Sequence, residues 1–268
     1  MILILLFLGA CIGSFLNVCI YRLPRERSII TPRSYCPRCS RTISWYDNIP
    51  IISYLNLSGR CRFCEEKISF RYPLVESISS LLTLWVWNES IQSNLTILEI
   101  VARLLLTYAL IVVTVIDWDF YIIPDGITYL FLFLAVVLGL FFPSHLHAAT
   151  RLDSLGKLAL GIFAGAGSLW FIGWLGKIFM KKDAMGLGDV KLMGMVGAWL
   201  GWKAALCSIM LASIMGSIFG IAFIIFKKLK MESRIPFGPF LSMGVFIFMM
   251  WGDCILDWYM SFLNDFRV

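Results

Sequence analysis

Long apolar stretches separated by short polar segments make up almost the whole chain. A transmembrane helix needs about 20 mostly apolar residues, so this pattern predicts an all-α, polytopic membrane protein with about eight transmembrane helices. The spans are expected at residues 1–21, 74–88, 97–116, 124–142, 155–180, 190–202, 204–226 and 237–262. The sixth span is short, rich in glycine and expected to turn at Gly201.

The composition argues against two large classes of protein. Of the 268 residues, 59% are hydrophobic and only 15% are charged, and the mean hydropathy is +0.82. Soluble domains carry roughly 45–50% apolar and about 25% charged residues, so a soluble enzyme is disfavoured. Intrinsic disorder is excluded, because so much apolar surface cannot stay solvated.

The basic residues set the expected orientation in the membrane. Ten of the 23 Lys and Arg lie between Arg22 and Arg71, and such clusters between spans mark cytoplasmic loops. The pattern predicts a multi-pass protein in contact with membrane lipid, with both ends outside. Because topology accounts for every basic cluster, no nucleic-acid partner is expected. The two further clusters are Lys177, Lys181, Lys182 with Lys191, and Lys227, Lys228, Lys230 with Arg234.

The same charges divide the chain into three expected parts. Residues 1–22 are predicted to be a retained first helix, because its positive charges follow the apolar stretch, whereas a signal peptide carries them before it. Residues 23–73 are predicted to form a cytoplasmic loop, and residues 74–268 a membrane-embedded core.

Four of the eight cysteines form two C-x-x-C pairs in the cytoplasmic loop. Cys36 and Cys39 make the first pair, and Cys61 and Cys64 make the second, 21 residues further on. Four thiolates complete a tetrahedral zinc site with no open coordination position, and a reducing compartment disfavours disulfides. The spacing predicts a small loop braced by structural zinc, with reduced free thiols as the alternative.

Carboxylates at span depth are the candidates for chemistry. Asp117 ends the third span, Asp125 begins the fourth, and Asp189 lies in the segment Gly186-Leu187-Gly188-Asp189. Ionisable groups at this depth are functional candidates. Two carboxyls brought together share a proton, so that one activates a water and the other protonates a leaving group. The alternative is that Asp119 and Asp125 cap helices at the membrane interface, which is the favoured interpretation for Asp125.

The glycines around Asp189 are typical of a site where another chain segment comes close to the backbone. Gly186 and Gly188 lack a Cβ and are predicted to let an extended peptide or a facing helix come close to the backbone. Gly194, Gly197 and Gly201 are predicted to continue a small-residue face that suits close helix packing.

Six groups of residues, in this order along nearly the whole chain, carry a family resemblance. They are Gly13–Val18 with Tyr21–Pro24, the two C-x-x-C pairs, Arg71–Glu76, Ile116-Asp117 with Ile123–Asp125, Gly186–Lys191, and Pro236–Phe240. Each motif is weak alone, but together the chain resembles the type IV prepilin peptidases, which are membrane aspartic proteases of the GxGD class.

The resemblance implies an eight-helix enzyme of the bacterial inner membrane that removes the leader from type 4 prepilins and related pseudopilins on the cytoplasmic side. Its catalytic pair would be Asp117 and Asp189. Members with a four-Cys loop usually also N-methylate the new N-terminal residue, commonly Phe, with S-adenosylmethionine. The resemblance places that activity between Arg22 and Tyr72, with Gly59 and nearby Glu76, but the sequence does not identify the donor-binding residues.

Without the family resemblance, the residues are also compatible with two other classes of protein, a transporter and a scaffold. A transporter with a zinc-braced cytoplasmic loop would use the aspartates for ions or protons, although the sequence shows no internal repeat. A scaffold protein would use its aspartates solely to cap helices.

Overall fold

The structure, a computed structural model, describes residues 1–146, 148–180, 185–226 and 235–265. The predicted basic positions at 181–182 and 227–234 lie outside the described residues. Contacts within the chain define two compact units, Met1–Val115 and Ile116–Val268.

The described residues fold into nine α-helices, which confirms the all-α part of the predicted fold class. Each of the eight apolar stretches is helical, and a short helix, α2, lies in the loop between the first two. The helices are α1 (Ile2–Arg22), α2 (Ile52–Asn56), α3 (Arg71–Gln92), α4 (Ile97–Phe120), α5 (Asp125–Phe141), α6 (Arg151–Met180), α7 (Leu187–Leu200), α8 (Trp202–Ile225) and α9 (Gly238–Asp265).

Five of the described helices, α1, α4, α6, α8 and α9, are long and apolar enough to cross a membrane. The chain is therefore a polytopic membrane protein. Helix α7 has 14 residues and is about 21 Å long, which is less than the ~30 Å hydrocarbon thickness of a bilayer. The prediction of eight spans thus exceeds the five that length and composition support, and crossing by α3, α5 and α7 stays a prediction.

In the first unit, α1 and α3 pack at short range because small residues face each other. A Cβ on Gly13 would lie 2.7 Å from Glu76 Cα, which backbone packing does not allow. The Ser80 hydroxyl donates to the Leu6 carbonyl (2.7 Å), so a polar side chain on α3 is satisfied within this helix pair. The close approach places the last turns of α1 beside the first turns of α3.

In the second unit, α7 packs against α5, α6, α8 and α9. Gly197 of α7 meets Gly161 of α6 so closely that a Cβ on either would clash with the backbone of the other, and a Cβ on Gly194 would lie 3.2 Å from Ala166 Cβ. The predicted small-residue face is therefore confirmed for Gly194 and Gly197. It is wrong for Gly201, which has a φ of +86° and no atom within 4 Å of a Cβ built there. Gly201 makes the turn from α7 into α8, which confirms the turn predicted there, and its positive φ favours glycine.

Candidate active site and metal centre

Asp117 lies in the last turn of α4 and is 6% exposed. The backbone N–H of Gly238, at the start of α9, donates to its Oδ2 (2.9 Å). A Cβ on Gly238 would lie 2.6 Å from the same oxygen. This contact therefore requires glycine, because any side chain would displace the carboxyl group.

Asp189 lies in the first turn of α7, three residues after the N-cap Gly186. Its carboxylate accepts a hydrogen bond from the Gly186 N–H, which is the backbone half of a capping box. A Cβ on Gly186 would lie 3.1 Å from Asp189 Oδ2. The glycine thus admits a carboxylate at a helix N-terminus, where the helix dipole favours negative charge.

The second unit brings Asp117 and Asp189 close enough to act on each other electrostatically. The two residues are 72 positions apart (189 − 117) in the sequence. Each is held by one glycine N–H, from Gly238 and Gly186 respectively. Asp119 is exposed on the same helix as Asp117. Two carboxyls that share one environment are the arrangement that general acid–base hydrolysis needs.

Asp125 forms an ion pair instead of the predicted helix cap. The N-cap of α5 is Pro124, with no side-chain cap bond, and Asp125 is the first residue of the helix. The ammonium of Lys191 donates to both of its carboxylate oxygens (2.8 and 2.9 Å) and lies 5.5 Å from the centre of the Tyr129 ring. The pair joins the start of α5 to the second turn of α7.

Gly188 is approached closely by the non-helical segment before α5, not by the facing helix that was one of the predicted alternatives. A Cβ there would lie 3.1 Å from Ile123 Cβ, so the segment before α5 passes directly beside the segment before Asp189. At Gly186 the close neighbour is the carboxylate of Asp189 itself. Gly188 therefore allows two chain segments to pack closely, and Gly186 leaves room for the Asp189 carboxylate.

The four predicted metal ligands Cys36, Cys39, Cys61 and Cys64 come together in the first unit. Their Sγ atoms all lie within 4.8 Å of one another, and Cys36 Sγ is 3.8 Å from Cys64 Sγ. Zinc bonded to sulfur at about 2.3 Å places the corners of a tetrahedron about 3.8 Å apart. The cluster can hold a metal ion of this kind.

Each C-x-x-C pair sits in a tight hairpin of the same construction. Antiparallel bridges join Tyr35 to Thr42 and Arg60 to Lys67, one around each pair. The residue after the second cysteine of each pair has a positive φ, at Ser40 (58°) and Glu65 (56°). The N–H of that residue donates to the carbonyl of the first cysteine, at 2.9 Å and 3.0 Å.

The second hairpin also directs backbone N–H groups at the sulfur atom of Cys61. Hydrogen bonds from the N–H groups of Cys64 and Phe63 lower the pKa of the Cys61 thiol to about 7, because they stabilise the thiolate. Arg62 donates from Nε and Nη2 to the two carboxylate oxygens of Asp47 (2.7 and 2.6 Å) and so fixes the second hairpin against the loop. The loop is thus built around a thiolate ligand set.

A cavity of about 780 Å³ lies in the first unit, between α1, the start of α3 and the four-Cys loop. Its size falls within the roughly 300–1,000 Å³ of small-molecule sites. Four tyrosines and four buried polar residues contribute to its lining: Tyr21, Tyr35, Tyr54, Tyr72, Asn17, Arg22, Ser53 and Glu76. The cavity combines flat aromatic surfaces with a buried carboxylate, amide and guanidinium, and further arginines such as Arg25 and Arg71 also line it.

Each of the two units contains a segment that matches a known protein family. Residues 7–90 match a model described as the bacterial peptidase A24 N-terminal domain, and residues 104–221 match the type IV leader peptidase family. A prepilin leader peptidase/N-methyltransferase of Aeromonas salmonicida is 38% identical, covering 93% of this chain and 90% of that protein. The chain belongs to the type IV leader peptidase family.

Other members of the leader peptidase family are similar over the same extent. The prepilin leader peptidase/N-methyltransferase of Pseudomonas aeruginosa is 35% identical over 96% of this chain and 92% of its own length. The protein of that name from Legionella pneumophila is 31% identical, covering 94% and 91%. No solved structure matches significantly.

The leader peptidase match covers the carboxylate site, but two contributors were not assigned a role from the sequence. Gly238 lies beyond the matched segment, and its only sequence signal was the Pro236–Phe240 motif. The partner of Asp125 was also missed, although Lys191 follows Asp189 by two residues. Both depend on contacts between distant parts of the chain, which helical periodicity does not reveal.

Proposed function

We propose that this chain removes the leader peptide of type 4 prepilins and pseudopilins at the cytoplasmic face of the bacterial inner membrane, and then N-methylates the new N-terminus. The observation that supports the protease best is the approach of Asp117 and Asp189, each held by a glycine N–H. The names of the relatives, prepilin leader peptidase/N-methyltransferase, support the substrate and both activities.

The carboxyl pair would cleave the peptide bond by general acid–base catalysis. One carboxylate takes a proton from water as the water oxygen attacks the scissile carbonyl carbon. The other carboxyl donates its proton to the leaving nitrogen, so that the C–N bond breaks and a free amine forms. The N–H groups of Gly238 and Gly186 hold the two carboxyls in place during this exchange.

In this proposal the three parts of the chain have separate roles. Residues 1–22 are the first span, residues 23–73 are the cytoplasmic four-Cys loop, and residues 74–268 carry the protease core. The cavity beneath the loop has the size and aromatic lining that suit S-adenosylmethionine, with tyrosine rings for its base. When bound, S-adenosylmethionine supplies an electrophilic methyl group, and residues of this cavity would hold it.

Leader cleavage is the direct test of the proposed function. Membranes containing the chain are incubated with a prepilin, and the shorter product is detected by gel electrophoresis and mass spectrometry. Ion uptake into proteoliposomes with no shortened prepilin would support the transporter that the residues left open. The comparisons favour the protease, because the matched relatives carry peptidase names.

We further propose that the four cysteines hold one structural zinc ion. Purified protein should contain about one zinc per chain, as four thiolates require. Cys36→Ser or Cys61→Ser should release it and loosen the loop, because metal binding and folding are coupled in such sites. Metal analysis and limited proteolysis measure both effects. Cys207→Ser, on α8 and outside the cluster, is the matched control and should keep its zinc. Metal-free protein purified without a chelator would contradict the proposal.

The cytoplasmic position of the loop gives a topology prediction. A reporter that is active only in the cytoplasm should be active when fused after Ser58 or Lys182, because the basic segments around these positions stay inside. The same reporter should be inactive after Ser144, in the predicted outer loop. The reverse pattern would place the carboxyl pair on the wrong side of the membrane for a cytoplasmic cleavage site.

A further inference from the structure

A buried carboxylate with no cation partner lies in the wall of the cavity. Glu76, on α3, is 7% exposed. It accepts hydrogen bonds from the Ile51 N–H (2.8 Å) and the Ser14 hydroxyl. Among the described residues, no lysine or arginine forms an ion pair with it. Because a buried charge without a partner is costly, the site is suited to a positively charged group.

An unpartnered amide oxygen lies in the same wall. Asn17, on α1, is 3% exposed. Its Nδ2 donates to the Tyr72 carbonyl (3.0 Å), which fixes the orientation of the amide because a carbonyl oxygen can only accept. Its Oδ1 is buried and has no hydrogen-bond partner among the described residues. A buried orphan acceptor points to a missing donor.

The fold holds these groups together at a cost in backbone strain. The close approach at Gly13 brings α1 against α3 at Glu76, so that Ser14 contacts Glu76 and Asn17 contacts the preceding turn of α3 at Tyr72. Ile51, which donates to Glu76, has a φ of +62°, a conformation that a β-branched residue rarely adopts. Such strain persists where the surrounding structure enforces it, commonly at functional sites.

We infer that Glu76, Asn17 and Ser14 form a binding site for a primary amine. The inference rests on the proposed methyl transfer, since leader cleavage creates a free α-amino group and N-methylation acts on nitrogen. An ammonium offers three N–H donors and one positive charge, which match two acceptor side chains and a carboxylate. The amine is either the new N-terminus of the substrate or the α-amino group of the methyl donor.

Glu76→Gln tests this site while preserving the loop. The amide oxygen of Gln still accepts the Ile51 N–H, so the substitution removes mainly the charge. Isothermal titration uses two matched pairs of probes. One pair is a short peptide with a free N-terminus and the same peptide N-acetylated. The other pair is S-adenosylhomocysteine and 5′-methylthioadenosine, which lacks the amino-acid part.

We expect Glu76→Gln to weaken the binding of one free-amine probe by roughly 10- to 100-fold, the range for a hydrogen bond to a charged group. Its amine-free analogue should bind as it does to the wild-type protein. A loss confined to the peptide identifies the substrate N-terminus as the ligand. A loss confined to S-adenosylhomocysteine identifies the donor, and either result supports the amine site.

Glu89→Gln is the matched control, because Glu89 lies on the same helix, 13 residues further along (89 − 76), and does not line the cavity. Unchanged zinc content and melting temperature show that each variant is folded. Equal binding of all four probes to the wild-type protein and Glu76→Gln would overturn the inference, as would an equal loss for all four. A wild-type protein that cleaves but never methylates would overturn the methyl transfer, while the titrations still decide the amine site.

Discussion

Asp117→Asn and Asp189→Asn should each reduce leader cleavage by at least about 10³-fold, since general acid–base groups contribute roughly 10²–10⁴-fold each and act as a unit. Asparagine keeps the shape of aspartate and can still accept the N–H of Gly238 or Gly186. The loss should therefore be chemical. The double variant should be little worse than either single variant, because a shared-proton pair needs both members. Initial rates on a purified prepilin measure all three enzymes.

The other two aspartates of this region provide the controls for the pair. Asp119→Asn changes an exposed residue on the same helix as Asp117. Asp125→Asn breaks a half-exposed ion pair with Lys191, and such pairs contribute about 0.2–1 kcal/mol. Both variants should keep most of their activity. An active Asp117→Asn enzyme together with an inactive Asp125→Asn enzyme would move the catalytic pair to Asp125 and Asp189.

Gly161→Ala should destabilise the protein by about 3 kcal/mol or more and greatly reduce cleavage, which is the upper range for overpacking a closed interface. A Cβ on Gly161 would clash with the backbone carbonyl oxygen of Gly197, and a backbone atom cannot rotate away as a side chain can. Helices α6 and α7 would have to separate, and α7 carries Asp189. Thermal unfolding in detergent and the rate of leader cleavage measure the two effects.

Gly167→Ala, on the same helix, is the matched control for this prediction. No atom lies within 4 Å of a Cβ built at Gly167, and alanine favours a helix over glycine by about 1 kcal/mol. This variant should melt at or slightly above the wild-type temperature. Equal melting temperatures for Gly161→Ala and Gly167→Ala would show that α6 and α7 are not packed as closely as described.

The helices and the cysteine pairs could be predicted because each depends on a short stretch of sequence. A run of about 20 apolar residues is sufficient to favour a membrane helix, and each predicted apolar range, including the shorter ones, coincides with a helix. The two C-x-x-C pairs carry metal-ligand spacing within four residues each. The sequence spacing does not by itself bring the two pairs together. The four-Cys cluster forms because two hairpins of the same construction approach each other.

The packing of α7 and the grouping of the carboxyls depended on tertiary structure. Apolar runs alone cannot separate a lipid-facing span from a short helix such as α7, which is surrounded by four other helices. Near the membrane boundary, the residues favoured Asp125 as a helix cap, and the family resemblance implied Asp117 and Asp189 as the catalytic pair. The fold pairs Asp125 with Lys191 and brings Asp117 and Asp189 within electrostatic range.

The contacts that build the site join residues far apart in the chain, and this is why sequence patterns do not show them. Gly238 donates to a carboxylate 121 residues earlier, and Asn17 donates to a carbonyl 55 residues later. Hydrophobic periodicity reports which residues share a helix and which face is apolar. The sequence by itself therefore determined the helices and the ligand types, whereas the packing of those helices decided which polar groups meet, because partners across a helix interface are set by three-dimensional approach.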